Sequence, residues 1–410
     1  MASQNVWLLA VGAGPSNLAL AVALEELAPE SKAANSLIVE RAPDATWQRE
    51  MLFPWTRSQV SFLKDLVTLR NPLSEYTFVN YLHSVGRLDE FVNLGSSTPY
   101  RMEISAYLQW VSKSLRRTRI EYNRECVSAT PTEHGWTVRM ADESTVSCRH
   151  LVLGVGRDAH IPAVFAALPR EKVIHSTEFR SKLADLAGTR PQTIAVVGGA
   201  QSATEMLWES YQSLPGTRCV LLTRGVGLRS YEHSKFANQV YQPSFVDTFY
   251  RSEPEVRHQM FADMRPTNYG ASDPELLDTL YRQMYQDRLT DQDRLSVVVN
   301  SDVVAATSEG DEIVLTVVDR TTGLSEELRC SAVLLGTGFE PGPPRLIRNL
   351  GIEDVTVDRK YRVRGVPSLY LQGLNEQTHG IADSLLSVLG IRAGEIVADI
   401  LSTDEERDGR

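Results

Sequence analysis

Cysteine is scarce in this chain of 410 residues, where Cys126, Cys148, Cys219 and Cys330 are the whole set. No two form a C-x-x-C pair, and none has a His or Cys at metal-ligand spacing. A dithiol redox centre and a zinc site of the usual kind are thereby excluded, and unreactive thiols in a reducing compartment are expected. A long apolar run is missing too. Leu8 to Leu24 comes nearest, but Gly12, Gly14, Pro15 and Asn17 interrupt it, so no membrane span is expected. No basic n-region precedes the first apolar run, and a cytoplasmic enzyme is the expectation. The net charge is −10 with Lys and Arg scattered, and without a basic stripe a nucleic-acid partner is excluded. There is no convincing Ser-His-Asp set, metal cluster or carboxylate pair. Tandem repeats of 20–50 residues are also lacking.

What is present is a pair of glycine turns, each after an apolar run and each opening a helix-like stretch. The first follows Val6 to Val11 and reads Gly12-Ala13-Gly14-Pro15-Ser16-Asn17. Gly12 permits a tight turn, Gly14 lets backbone approach a pyrophosphate, and the helix start aims its amides at that phosphate. Glu40 closes the next strand, Ser36 to Glu40, where it can accept from a ribose hydroxyl. The second turn follows Thr193 to Val197 and reads Gly198-Gly199-Ala200-Gln201-Ser202-Ala203, with Ala200 in place of the middle glycine. Beyond its next strand stands Arg224, not an acid. Arg224 is either a partner for a 2′-phosphate, which favours NADPH over NADH, or a solvated surface cation. Two such turns in one polypeptide suggest two dinucleotides face to face, the arrangement that passes a hydride from nicotinamide to flavin.

The order of elements implies an α/β protein with two Rossmann-like dinucleotide-binding domains, the second inserted in the first, plus a small, mostly helical substrate region. Residues 1–160 and 330–410 are expected to form the first domain, and 161–329 the second, with an insertion around 228–292. Gly154-Val155-Gly156 and Gly336-Thr337-Gly338 each end an apolar strand. They serve either as chain crossings close to cofactor or as ordinary turns. A final helix is expected over Asp383 to Ile400, followed by a disordered acidic tail, Asp404-Glu405-Glu406.

Several stretches, taken together, resemble the flavin-dependent N-hydroxylating monooxygenases, the ornithine and lysine N-hydroxylases of siderophore pathways. They are the turn Gly12 to Leu18, Gln59-Val60-Ser61-Phe62-Leu63-Lys64-Asp65-Leu66-Val67-Thr68, Gln201-Ser202-Ala203, Phe245-Val246-Asp247, Thr267-Asn268-Tyr269, and His379-Gly380-Ile381-Ala382-Asp383-Ser384-Leu385-Leu386-Ser387. They fall in the family's order along nearly the whole chain, and the segments around Lys64 and after His379 are the most specific. The resemblance implies FAD on the first turn and NADPH on the second, with O2 activated at the flavin to hydroxylate a side-chain amine. It places Gln59 by the flavin ring and Arg101 against NADPH, and counts Trp47, Gly338, His379 and Leu386 among the cofactor contacts. Lys64, Asn238, Asn268 and Ser384 are implied to hold the substrate. Homo-oligomers, tetramers or dimers, are common in the family.

Lys64 also has an independent reading. A lysine among Phe62, Leu63 and Leu66 is costly to bury unless it meets an anion. A substrate α-carboxylate, an ion pair with Asp65, or a snorkelling stem would each satisfy it. L-Ornithine is the favoured substrate, with L-lysine or a diamine such as putrescine or cadaverine as alternatives. Three departures from the family pattern border the nicotinamide and substrate regions: Ala200, the loop Arg229-Ser230-Tyr231-Glu232-His233-Ser234, and Tyr100 to Ser105.

Overall fold

The structure is a computed structural model that describes residues 3–408 except 233, 353, 354 and 367. His233 of the departing loop lies outside the described residues. Two sheets organise the chain. The first contains Ser3–Val11 (β1), Ser36–Val39 (β2), Arg119–Glu121 (β3), Cys126–Thr132 (β4), Gly135–Met140 (β5) and Thr145–Leu153 (β6), in the order β3-β2-β1-β6-β5-β4. The β1, β2, β3 and β6 pairings are parallel, and β4-β5-β6 is an antiparallel meander. The central strands are apolar on both faces because both are covered. One face packs on Pro15–Leu27 (α1) and Arg101–Ser114 (α2), the other on the chain between Leu346 and Val366.

The second sheet holds Val173–His175 (β7), Thr193–Val197 (β8) and Arg218–Leu222 (β9). An insertion follows, carrying a two-stranded ladder of Arg229–Ser230 (β10) and Ala271–Ser272 (β11) before Leu295–Val298 (β12). An antiparallel sheet of Ser301–Glu309 (β13), Glu312–Asp319 (β14) and Ser325–Cys330 (β15) then leads into Ala332–Leu335 (β16). The order β12-β9-β8-β16-β7 is parallel throughout. The chain finally returns to the first sheet as Leu369–Leu371 (β17) beside β6.

Three sequence expectations change here. Residues from 330 were assigned to the first domain, yet β16 pairs with β8 and β7, so the return comes after Gly338. A short apolar strand ending in glycine fits either sheet, and only its neighbours decide. The insertion is also smaller than 228–292. Gln201–Ser213 (α3) is followed by Pro243–Arg251 (α4) and Pro254–Asn268 (α5), which pack on Ile381, Ala382 and Val388 of the first unit. Pro274–Leu289 (α6) instead buries Leu276 and Leu280 in the core of the second sheet. Third, the acidic tail is ordered. The last helix runs over Leu389–Asp408 (α7), and fully buried Asp404 accepts from Trp7 Nε1 at 2.7 Å, Lys32 Nζ at 2.7 Å, Arg149 Nε at 2.8 Å and His150 Nε2 at 2.9 Å. An acid with four donors around it is an anchor, whatever the charge of its neighbours in sequence.

The two crossings between the units run side by side. Ala159 and Phe339 form an antiparallel bridge, His160 N donates to the Gly338 carbonyl at 3.0 Å, and Glu340 N donates to the Asp158 carbonyl at 2.8 Å. Three of the four cysteines are buried and Cys126 is partly so. Burial pushes all four thiols up to about 12, which keeps them protonated and inert.

Candidate functional site

Strand register builds the first turn. Val11 pairs with Val39 and with Leu153, and Leu153 pairs with Leu371, so Gly12, Glu40, Gly154 and Gln372 leave the sheet at one edge. Gly12 sits at φ +94°, and a Cβ on it would lie 2.6 Å from the Gly154 carbonyl oxygen. Gly14 is the N-cap of α1, ahead of Pro15, and a Cβ there would meet nothing within 4 Å. The turn therefore needs glycine at 12 for its own geometry and leaves clear backbone at 14, beside free helix N–H groups. Glu40 accepts from Ala13 N at 2.7 Å and from Ala42 N at 2.8 Å, which holds its carboxylate against the turn.

Asn17 is completely buried, with Nδ2 donating to the carbonyls of Val11 and Gly12 and Oδ1 accepting from Gln372 Nε2 at 2.8 Å. It braces the turn from within, because the buried carbonyls at the strand end need donors. Ser16 Oγ accepts from Arg392 Nη2 at 2.8 Å, and Arg392 pairs with buried Asp383 at 2.8 Å. The first turn is thus tied to the segment after His379.

The second turn repeats the first. Val197 pairs with Leu222 and Leu335, and a Cβ on Gly198 would lie 2.4 Å from the Gly336 carbonyl oxygen, as Gly12 faces Gly154. Ala200 holds the N-cap position of α3 with extended backbone at φ −115°, which an L-residue adopts freely. Its methyl group occupies the side that Gly14 leaves bare. Ser202 lies in the first turn of α3, half-buried. Arg224 is exposed, has no acid partner among the described residues, and receives Arg320 Nη1 on its carbonyl oxygen at 2.7 Å.

Gln201 and Gln59 meet at Asp273. Gln201 Oε1 accepts from Asp273 N at 2.7 Å, and Gln59 Nε2 reaches Asp273 Oδ2 at 3.4 Å. Arg101 does not face open space. Its guanidinium is buried and forked onto Glu205 of α3, at 2.9 and 2.6 Å, with Nη1 also donating to the Met51 carbonyl. A buried guanidinium requires a buried carboxylate, and Glu205 supplies it. Trp47 packs at the edge of the first core, with its N–H donating to Ser105 Oγ at 3.0 Å.

His379 and Gly338 are both held by contacts within the protein. The His379 ring is buried, stacked 4.2 Å from Tyr361, and its Nε2 lies 3.3 Å from the Arg359 carbonyl. Burial lowers its pKa, so the ring is a neutral core group. Gly338 lies in the second crossing, where its carbonyl accepts from His160 N and lies 2.8 Å from His175 Nε2.

Lys64 behaves as the apolar setting demands. Asp65, its nearest candidate partner, spends its carboxylate on the backbone N–H groups of Val67, Thr68 and Phe78 and on the Thr68 hydroxyl. No acid among the described residues pairs with Lys64, which is half-buried, and burial lowers its pKa. Lys64 and Leu386 line one small cavity with Phe62, Ile104 and Leu389. Asn268 ends α5, and the next residue, Tyr269, lies 3.2 Å from Ser384 Oγ. Asn238 sits on a short 3-10 helix, Ala237–Tyr241, which Tyr241 ties to Thr267 at 2.5 Å. The elements that carry Asn238, Asn268 and Ser384 pack together, and Ser384 stands two residues along the chain from Leu386, which lines the Lys64 cavity. Sequence reading assigned no role to Tyr269, Glu376, Arg157 or Arg392, whose hydrogen-bond partners named here are over 100 residues away in each case but Arg392–Asp383.

Two sheets, one parallel throughout and the other parallel apart from its meander, with glycine turns at matching edges, define an α/β protein built for two dinucleotides. The family model described as L-lysine 6-monooxygenase/L-ornithine 5-monooxygenase matches residues 4–341, and the chain belongs to that family. It is 35% identical over 408 residues to an L-ornithine N(5)-monooxygenase of Pseudomonas aeruginosa, covering 95% of this chain and 92% of that one. Its fold is similar to a Kutzneria sp. 744 ornithine N-hydroxylase solved with reduced FAD, NADP+ and L-ornithine, with a TM-score of 0.91, 33% identity, and 98% and 100% of the two chains covered. It is also similar to an L-lysine 6-monooxygenase of Pseudomonas syringae, with a TM-score of 0.84, 29% identity, and 96% and 99% covered.

Proposed function

We propose that this protein is an FAD- and NADPH-dependent monooxygenase that converts L-ornithine and O2 to N5-hydroxy-L-ornithine, for a siderophore or a related natural product. The observation that carries it is Lys64: a half-buried cation without an acid partner among the described residues, lining a small cavity with Leu386 and with Asp65, whose carboxylate is taken by backbone amides. A substrate carboxylate is the anion that would complete it. Ornithine leads because relatives at 33–35% identity are ornithine hydroxylases, whereas the lysine 6-monooxygenase stands at 29%.

FAD fits the first turn, where Gly14 leaves backbone clear at the start of α1 and Glu40 offers a carboxylate for ribose. NADPH fits the second turn, where Arg224 would meet the 2′-phosphate. On this reading the FAD domain comprises the described residues up to about 160 and from about 340, with the NADPH domain between. Bound FAD and NADPH supply the oxygen and hydride chemistry. The chain's own residues hold the amino acid by its carboxylate at Lys64, with Asn238 and Asn268 alongside, and fix the amine near Ser384. An alkyl ammonium of pKa ~10 must shed a proton before its nitrogen can attack, and desolvation of the bound amine would favour this.

No helix among the described residues is long and apolar enough to cross a membrane. A cytoplasmic dimer or tetramer accompanies the proposal, and light scattering on the purified protein reads the oligomeric state. The test of function is hydroxylamine formation from ornithine, lysine, putrescine and cadaverine, measured beside NADPH consumption. Product from ornithine above all others supports the reading. Product from diamines alone overturns the role of Lys64, and product from lysine above ornithine overturns the choice of amino acid.

A further inference from the structure

Behind Ser384 stands a chain of polar side chains drawn from three parts of the molecule. Arg157 belongs to the first crossing between the sheets, Glu376 to the short helix Glu376–His379, and Tyr269 follows α5. Glu376 is only 6% exposed. Its Oε2 pairs with Arg157 Nη2 at 2.8 Å, its Oε1 accepts a short bond from the Tyr269 hydroxyl, and the Tyr269 oxygen lies 3.2 Å from Ser384 Oγ.

Hydrogen counting gives this chain a direction. An ionised carboxylate only accepts, and a phenol has one hydrogen to give. Glu376 is paired with the Arg157 guanidinium, and its carboxylate accepts the Tyr269 hydrogen. Burial, with the Glu376 charge adding to it, pushes the Tyr269 phenol up to about 12, so it stays protonated at neutral pH. Its oxygen therefore offers only lone pairs to Ser384. The other Ser384 partner, the Ile381 carbonyl at 3.4 Å, likewise only accepts. With its hydrogen given to either of these inward acceptors, the half-buried Ser384 hydroxyl keeps both lone pairs for a ligand.

That direction matters for a nucleophilic amine. A neutral primary amine has two N–H groups and one lone pair. An acceptor binds an N–H and leaves the lone pair free to attack, whereas a donor at the same place would occupy the lone pair. We propose that Glu376, acting through Tyr269, fixes Ser384 as a hydrogen-bond acceptor for an N–H of the substrate's side-chain amine. The proposal rests on the functional reading above. Ser384 is the contact, and Glu376 and Tyr269 are positioning residues.

Glu376→Gln is the informative variant because it changes direction rather than size. Arg157 claims the amide oxygen, which turns the amide NH2 toward Tyr269. The Tyr269 hydrogen is then released to Ser384, and the Ser384 hydrogen turns outward. Hydroxylamine formed per NADPH consumed is measured in the holoenzyme with ornithine. E376Q is expected to lower that ratio at least fivefold, and S384A to raise the KM for ornithine about tenfold, the effect of losing one hydrogen bond to a charged or strongly polar group. Adding S384A to E376Q removes the misdirected donor, so the double variant is expected to return to the ratio of S384A alone. That rescue is what a merely structural role for Glu376 would not produce. Should E376Q fail to fold, Y269F carries the test, with a several-fold lower ratio expected. Wild-type coupling in E376Q or Y269F, or losses that simply multiply in the double variant, would overturn the chain alone. A wild-type enzyme that makes no hydroxylamine would overturn the functional reading with it.

Discussion

Replacing Lys64 with Met keeps an apolar stem of similar length and removes the charge. If Lys64 receives the substrate carboxylate, the variant loses a charge-assisted bond worth about 1.5–3 kcal/mol, and the KM for ornithine rises on the order of ten- to a hundredfold. Stability should move the other way. Lys64 has no acid partner among the described residues, and burial depresses its pKa in the folded state. The unfolded chain therefore binds this proton more tightly than the native one below the ordinary lysine pKa of ~10.4. The sign is fixed: at neutral pH the charge disfavours the native state, and that cost disappears as pH rises toward the ordinary value. K64M should thus melt at the same temperature as the parent or higher, while binding ornithine far more weakly. Steady-state kinetics and a thermal melt suffice, with putrescine as a control whose KM should not respond. An unchanged KM for ornithine, or a lowered melting temperature of the kind a broken ion pair gives, would refute the reasoning.

Gly12 and Gly14 should separate by phenotype. Gly12→Ala meets a carbonyl at 2.6 Å in a positive-φ conformation and should destabilise the fold in a thermal melt, whereas Gly14→Ala meets nothing and should fold normally yet purify with little flavin, read from the visible spectrum. Arg224→Ala should raise the KM for NADPH about tenfold and leave that for NADH unchanged in stopped-flow flavin reduction. Asp404→Asn strips a buried carboxylate from Lys32, Arg149, His150 and Trp7 and should cost about 3–5 kcal/mol in denaturant unfolding. Burial alone would raise the Asp404 pKa, but hydrogen bonds from His150, Lys32 and Trp7 hold it well below the usual carboxylate range. Its contribution is therefore complete above pH ~4 and is lost as pH falls through the depressed value, so the parent's acid-unfolding midpoint should shift upward in the variant.

Local chemistry made much of the fold legible. Glycines at 12 and 198 are demanded by positive φ and by a carbonyl under 3 Å from any Cβ, and such constraints are written in a few adjacent residues. Apolar strands were equally plain, but their sheet was not, as Ala332–Leu335 demonstrates. The strand is four apolar residues whether it pairs with β8 or β6, and pairing is a property of the folded chain. Lys64 was readable because its neighbours in sequence are apolar, and the structure removed its alternative partner by spending Asp65 on backbone amides. Arg101 and His379 were legible as positions of interest but not as contacts. Their partners, Glu205 and Tyr361, come from other elements. The Arg157–Glu376–Tyr269 chain was invisible for the same reason, since it joins segments 107 residues apart for Tyr269 and Glu376.

The central claim is that two nucleotide sites in this chain serve the hydroxylation of an amino-acid amine. The most direct measurement is the yield of N5-hydroxy-L-ornithine per NADPH consumed by the purified flavoprotein in air. The account predicts a ratio near one with ornithine, and little NADPH oxidation without it. NADPH oxidation at the same rate with and without ornithine, all of it ending as hydrogen peroxide, would contradict the account.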